Sequence, residues 1–147
     1  MSFRLRLFAV STAACLVAGL AASVVRANAA QAEPSVWDGV YTGEQAERGG
    51  GFYAKQCASC HGEGLMGQDQ SPALVGPAFL ANWNGKNLNA FFTRIQTTMP
   101  EDAPGTLSEN EALDVIAYVV QTNGFPAGEK ALPPASALST ITFVSNK

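Results

Sequence analysis

Gly49-Gly50-Gly51-Phe52-Tyr53-Ala54-Lys55-Gln56-Cys57-Ala58-Ser59-Cys60-His61 holds two cysteines three residues apart, with a histidine directly after the second. Side chains three apart on a helix share a face, so both thiols project to the same side. His61 is the only histidine of the 147 residues, and the one other cysteine, Cys15, lies in an apolar run near the N-terminus.

Paired thiols at this spacing serve several chemistries. A zinc site needs a fourth strong ligand, and with no other mature Cys or His it would have to recruit a carboxylate. A thioredoxin-like C-x-x-C wants a βαβ setting, which the sequence pattern lacks. A structural disulfide between Cys57 and Cys60 is a third reading. The fourth is haem attachment, for which C-x-x-C-H is the pattern. Both thiols then form thioethers with the haem vinyl groups, and the His61 imidazole comes under the iron as an axial ligand. The five residues alone are moderately specific, but an export signal and the lack of any other mature cysteine favour the fourth reading.

That export signal occupies residues 1–29. Arg4 and Arg6 are basic, Leu7 to Val25 is apolar or small, and Ala27-Asn28-Ala29 offers an A-x-A cleavage site. Cleavage after Ala29 delivers the chain to the periplasm through the general secretory route and removes Cys15. An uncleaved anchor is the alternative, since the apolar run approaches the length that spans a bilayer. The leader contains three arginines and no acid, so its loss takes the net charge from −3 to −6. Such a balance argues against a nucleic-acid partner, whose backbone demands Lys and Arg.

Working outward, residues 30–41 read as an irregular lead-in containing Pro34 and Gly39, with the first ordered element at Thr42. Thr42-Gly43-Glu44-Gln45 has capping-box spacing, and a helix should run from it to about Cys57. Ala46, Gly49, Tyr53 and Cys57 form its stripe. Each interior glycine costs roughly 1 kcal/mol relative to Ala, so at least one of Gly49, Gly50 and Gly51 must serve packing. Residues 62–87 are rich in Gly, Pro and Asn and read as a long loop, with a turn of helix around Ala78–Trp83; a loop of that length needs a surface to pack on. Leu88, Phe91, Phe92 and Ile95 predict a helix that Pro100 ends just after Met99. Ser108-Glu109-Asn110-Glu111 opens the clearest helix, carried by Leu113, Ile116, Ala117 and Val120 and stopped at Asn123-Gly124. Residues 125–147 are a Pro- and Ala-rich tail, in which Ile141 to Val144 could form a short strand. The expected fold class is all-α, with about three main helices, the domain proper spanning 42–124.

From Thr42 to Asn123 the sequence resembles class I (mitochondrial-type) cytochromes c. Gly49, Tyr53 and Tyr118 match the family's helix-crossing residues, and only glycine lets two backbones approach so closely. Pro72-Ala73-Leu74 matches a family Pro-x-Leu, which implies that the Pro72 carbonyl accepts the proximal histidine proton and that Leu74 covers the haem. The resemblance further implies Met99 as the sixth ligand, a soft thioether that favours reduced iron; on its own such a methionine would read as core. Trp83 and Asn84 resemble a position that hydrogen-bonds a haem propionate. Met66 is expected as packing on the proximal side. The segment Asn123-Gly124-Phe125-Pro126-Ala127-Gly128 resembles bacterial cytochromes associated with quinoprotein (PQQ) dehydrogenases.

The reading that results is an electron carrier rather than an enzyme: one covalent haem c, His61 and Met99 as iron ligands, Cys57 and Cys60 as attachment points, and Pro72, Leu74 and Trp83 lining the pocket. Its partners would be redox proteins, a donor dehydrogenase or membrane complex and an acceptor oxidase, met as a monomer or within a complex. The alternatives are a dedicated cytochrome subunit of a quinoprotein alcohol dehydrogenase and an open-site haem enzyme or sensor. Glu101, Asp102, Glu109, Glu111 and Asp114 cluster around Met99 and the start of the last helix; they would either favour a basic or neutral partner face or simply solvate the helix start and stabilise it through its dipole.

Overall fold

A computed structural model of the chain describes residues 33–146. The leader, its cleavage site and Cys15 lie outside the described residues. Five α-helices follow in order: α1 (Gly43–Gln56), α2 (Ala58–His61), α3 (Gly76–Trp83), α4 (Leu88–Thr98) and α5 (Glu109–Thr122). No strand occurs among the described residues, and the architecture is all-α.

Helix α1 starts where the Thr42 hydroxyl accepts the Gln45 N–H, leaving one fewer orphan donor in the first turn. The expected reciprocal box does not close. The Gln45 side chain turns away, and its Oε1 accepts the N–H of Leu132 at 2.8 Å, pinning the tail to α1. At α5 the box is complete: Ser108 Oγ accepts the Glu111 N–H while the Glu111 carboxylate accepts from the Ser108 N–H. Those hydrogen bonds favour the charged carboxylate and hold Glu111 below its ordinary range.

The most extensive helix pairing is α1 against α5. Gly49 is buried at the crossing, where any Cβ would overlap the Asp114 carbonyl and come within 3.0 Å of the Tyr118 Cβ. One turn on, Tyr53 and Tyr118 pack with ring centroids 5.4 Å apart. Beside them Arg48 makes a bidentate pair with the buried Asp114 carboxylate, at 2.8 and 2.9 Å. Gly49 is therefore the glycine that serves packing, whereas Gly51 has open space where a side chain would stand.

The middle and the ends of the domain hold more structure than the sequence suggests. Helix α3 is two turns, with Pro77 in its first turn and its first N–H donated to Asn123 Oδ1. A 3₁₀ turn at Val36–Asp38 precedes Thr42 and buries Val36. The expected strand at 141–144 is absent: Thr142 forms isolated bridges to Ser35 and to Asn87. This segment lies between residues 34–36 and 85–88, bonded to both, because Val36 N–H donates to the Thr142 carbonyl and Leu88 N–H to the Ile141 carbonyl. Phe143 thereby enters an aromatic cluster with Phe79, Trp83, Phe91 and Phe125.

Candidate cofactor site

The end of α1 and the short α2 present the two thiols and the imidazole together. Tyr53 accepts the Cys57 N–H on its carbonyl, and Cys57 in turn accepts the His61 N–H, so the C-x-x-C-H stretch is one helical turn continuing α1. Tyr53 then ties down the exit, its hydroxyl donating to the Gly62 carbonyl at 2.6 Å. Cys57 is half-buried and Cys60 exposed. Burial, with Cys60 nearby, pushes the Cys57 thiol up to about 11.

His61 is 8% exposed, and its Nδ1 lies 2.8 Å from the Pro72 carbonyl oxygen. A carbonyl only accepts, so Nδ1 carries the proton and Nε2 keeps the lone pair. The loop that brings Pro72 back is held tightly. Gly67 N–H donates to the His61 carbonyl, and Gln68 and Ser71 exchange two backbone hydrogen bonds. A Cβ on Gly67 would stand 2.6 Å from the Ser71 oxygen and 2.7 Å from the Ala73 nitrogen, at a φ of +76°, so only glycine allows this closure. Leu74 N–H donates to Leu65, whose side chain is fully buried. Met66 is different: it is 71% exposed beside the buried Leu65, on a loop whose backbone enters the left-handed region at Gly62, Leu65 and Gly67.

These residues open onto a cavity of about 1080 Å³. Cys57, Cys60, His61, Pro72, Leu74, Trp83 and Met99 all line it, so the structure brings together the expected attachment, ligand and pocket residues. Met99 is the C-cap of α4, its N–H bonded to the Ile95 carbonyl. Asn84 does not line the cavity, because its Oδ1 accepts the Ser145 N–H instead. Val115 and Val119 of α5 and Phe79, Phe91 and Ile95 supply an apolar lining.

Two contributors were not legible in the sequence. Lys86 and Arg94 also line the cavity, and Lys86 Nζ stands 5.1 Å from the centre of the Trp83 ring. Lys86 lies three residues beyond Trp83 and Arg94 three beyond Phe91, the only hint of a shared wall.

The residues fit a haem. The cavity, about 1080 Å³, is slightly larger than the roughly 300–1,000 Å³ of most ligand sites, and it is mostly apolar, with two thiols, an imidazole of fixed tautomer and a thioether at its wall and cations for carboxylates. Zinc fits poorly, since among the described residues no three His, Cys, Asp or Glu side chains are grouped to hold a metal ion.

One comparison with known proteins, the family match, agrees with this chemistry. A family model described as cytochrome C oxidase, cbb3-type, subunit III matches residues 44–119. No curated protein sequence matches the chain. Among solved structures the chain is similar to the sulfane dehydrogenase SoxCD from Paracoccus pantotrophus, with 19% identity and a TM-score of 0.48 over 73% of this chain. It spans 61% of that chain's length. The family match covers more than half of the 147 residues and contains the whole C-x-x-C-H turn, and so the chain belongs to the cytochrome c family, whose members carry covalently bound haem c.

Proposed function

We propose that this cytochrome is a periplasmic one-electron carrier whose haem is attached at Cys57 and Cys60 and ligated by His61 and Met99. The observation that carries the reading is the shared cavity: both thiols, an imidazole with Nε2 free for a bond and the Met99 thioether line one apolar chamber. When bound, haem c supplies a one-electron Fe(III)/Fe(II) couple.

The chain's own residues set the conditions for that couple. Pro72 holds the His61 proton on Nδ1, which fixes the ring plane and raises the basicity of Nε2. Met99 offers a soft donor that favours the reduced state. With both His61 and Met99 bound to the iron, no coordination site would be left for a substrate, and this would separate a carrier from an open-site enzyme or sensor. Lys86 and Arg94 would hold the haem carboxylates, and Phe79, Phe91, Val115 and Val119 exclude water.

The leader pattern of residues 1–29 supports export. Among the described residues no helix is long and apolar enough to cross a membrane. The 123–128 resemblance makes a quinoprotein dehydrogenase the first donor to test. Met99→Ala is the decisive variant for ligation. It should keep its haem, bind carbon monoxide in the reduced state, lose the far-red sulfur-to-iron band and fall in potential. A variant with the spectrum of the wild type would remove Met99 from the ligand set.

A further inference from the structure

Residues 141–145 lie beyond the stretch that the family match covers, yet they are built into the wall of the haem chamber. Phe143 is 1% exposed and does not line the cavity itself. Its ring stands 6.0 Å from Phe79, 6.1 Å from Trp83 and 5.9 Å from Phe91, three residues that do line it. Trp83 and Phe91 also meet edge to face at 4.6 Å. Phe143 is thus the backing of an aromatic wall whose front faces the cofactor.

The backbone repeats the arrangement. Phe143 N–H donates to the Lys86 carbonyl and Gly85 N–H to the Phe143 carbonyl, both at 2.8 Å. Ser145 N–H donates to Asn84 Oδ1, and Leu88 N–H to Ile141. The turn from Trp83 to Leu88 therefore depends on the tail for its hydrogen bonds, and it carries the Lys86 ammonium over Trp83. From the other side Thr142 is bonded to Pro34 and Val36, and Trp37 Nε1–H donates to Val144 at 2.8 Å. The tail can retreat from neither neighbour without breaking these bonds.

We propose that Phe143 is a positioning residue for the redox centre: from behind the chamber it fixes Trp83 and Lys86, and so sets how strongly the Lys86 charge acts on the haem. The proposal rests on the haem reading above. A cation held at the edge of the chamber, even an exposed one such as Lys86, disfavours the more positive, oxidised state and raises the potential. When the ring is removed, the backbone bonds to Gly85 and Lys86 remain, but Trp83 has room to tilt, and the ring face over which the Lys86 ammonium stands shifts with it. Lys86, whose side chain is exposed and is placed at the cavity by the Trp83 ring, then loses that placement, and its charge acts from farther away through screening solvent.

The test uses the full chain matured with haem: Phe143→Ala and Phe143→Leu, each alone and combined with Lys86→Met. Intact mass first establishes that haem is attached, so failure of the haem reading shows there and failure of this proposal shows only in the potentials. Phe143→Ala should weaken reduction about three- to tenfold, a fall of about 30–60 mV at 59 mV per tenfold for one electron. Phe143→Leu should shift it less and in the same direction, and it serves alone if the alanine variant does not fold. In the Lys86→Met background the same substitutions should move the potential by less than half as much, because residues acting through one another are not additive. Unchanged potentials in the haem-loaded Phe143 variants, or shifts of full size without Lys86, would overturn the proposal.

Discussion

Tyr53 shows how one side chain joins fold and site. Its ring packs on Tyr118 at the α1–α5 crossing while its hydroxyl donates to Gly62, the residue after His61. Burial is the chief cause that raises its phenol to about 12, with smaller contributions from Cys57 and Tyr118. A raised folded value against about 10 in the unfolded chain means that the neutral phenol stabilises the fold. This contribution is full below about pH 10 and is lost as the pH rises toward 12. Tyr53→Phe should cost about 1 kcal/mol near neutrality, the net value of one hydrogen bond. Denaturant unfolding of the two proteins across the alkaline range should show the gap narrowing above about pH 10; a gap that widens would mean the phenol ionises more readily in the fold.

At the scale of elements, the α1–α5 crossing makes its three glycines unequal. Gly49→Leu must push the helices apart against the Asp114 backbone, and overpacking of this kind costs about 1–3 kcal/mol. Gly51→Ala meets nothing and should stabilise α1 by about 0.5–1 kcal/mol. Thermal unfolding of both variants tests the crossing, and equal effects would mean that the helices do not meet at Gly49. The crossing was legible because helical periodicity and the family resemblance fall on the same residues, Gly49, Tyr53 and Tyr118. Half of the Thr42 box was misread because Gln45 has a better use: Leu132, far along the chain, needs its N–H satisfied. Phe143 was invisible for the same reason. Its neighbours Phe79, Trp83 and Phe91 lie on other elements, and no local period announces a contact of that range. Met66 was misplaced because a loop of glycines sets side-chain direction by backbone turns rather than by spacing.

For the whole molecule, the surface around the chamber decides how a redox partner is met. The five acids around Met99 and the start of α5 divide between the two readings given for them. Asp114 is buried against Arg48, Glu111 caps α5, and Glu109 accepts the Ala135 N–H, which leaves Glu101 and Asp102 at the cavity rim. Lys55, Lys86 and Arg94 line the same cavity, so its edge carries both signs. Reduction by a candidate dehydrogenase with a basic face should slow as salt rises, because screening acts on the encounter. Glu101→Gln with Asp102→Asn should flatten that dependence, while Glu109→Gln should leave it unchanged; stopped-flow rates over a salt series read both. The proposed function depends on one unit, Cys57, Cys60 and His61 holding a covalent haem. Intact mass of the denatured protein, purified from cells with a working cytochrome-maturation system, tests that unit most directly. The mass should exceed that of the polypeptide by one haem, and Cys57→Ala with Cys60→Ala should abolish the increment. A wild-type chain carrying no added haem mass in those cells would contradict the account.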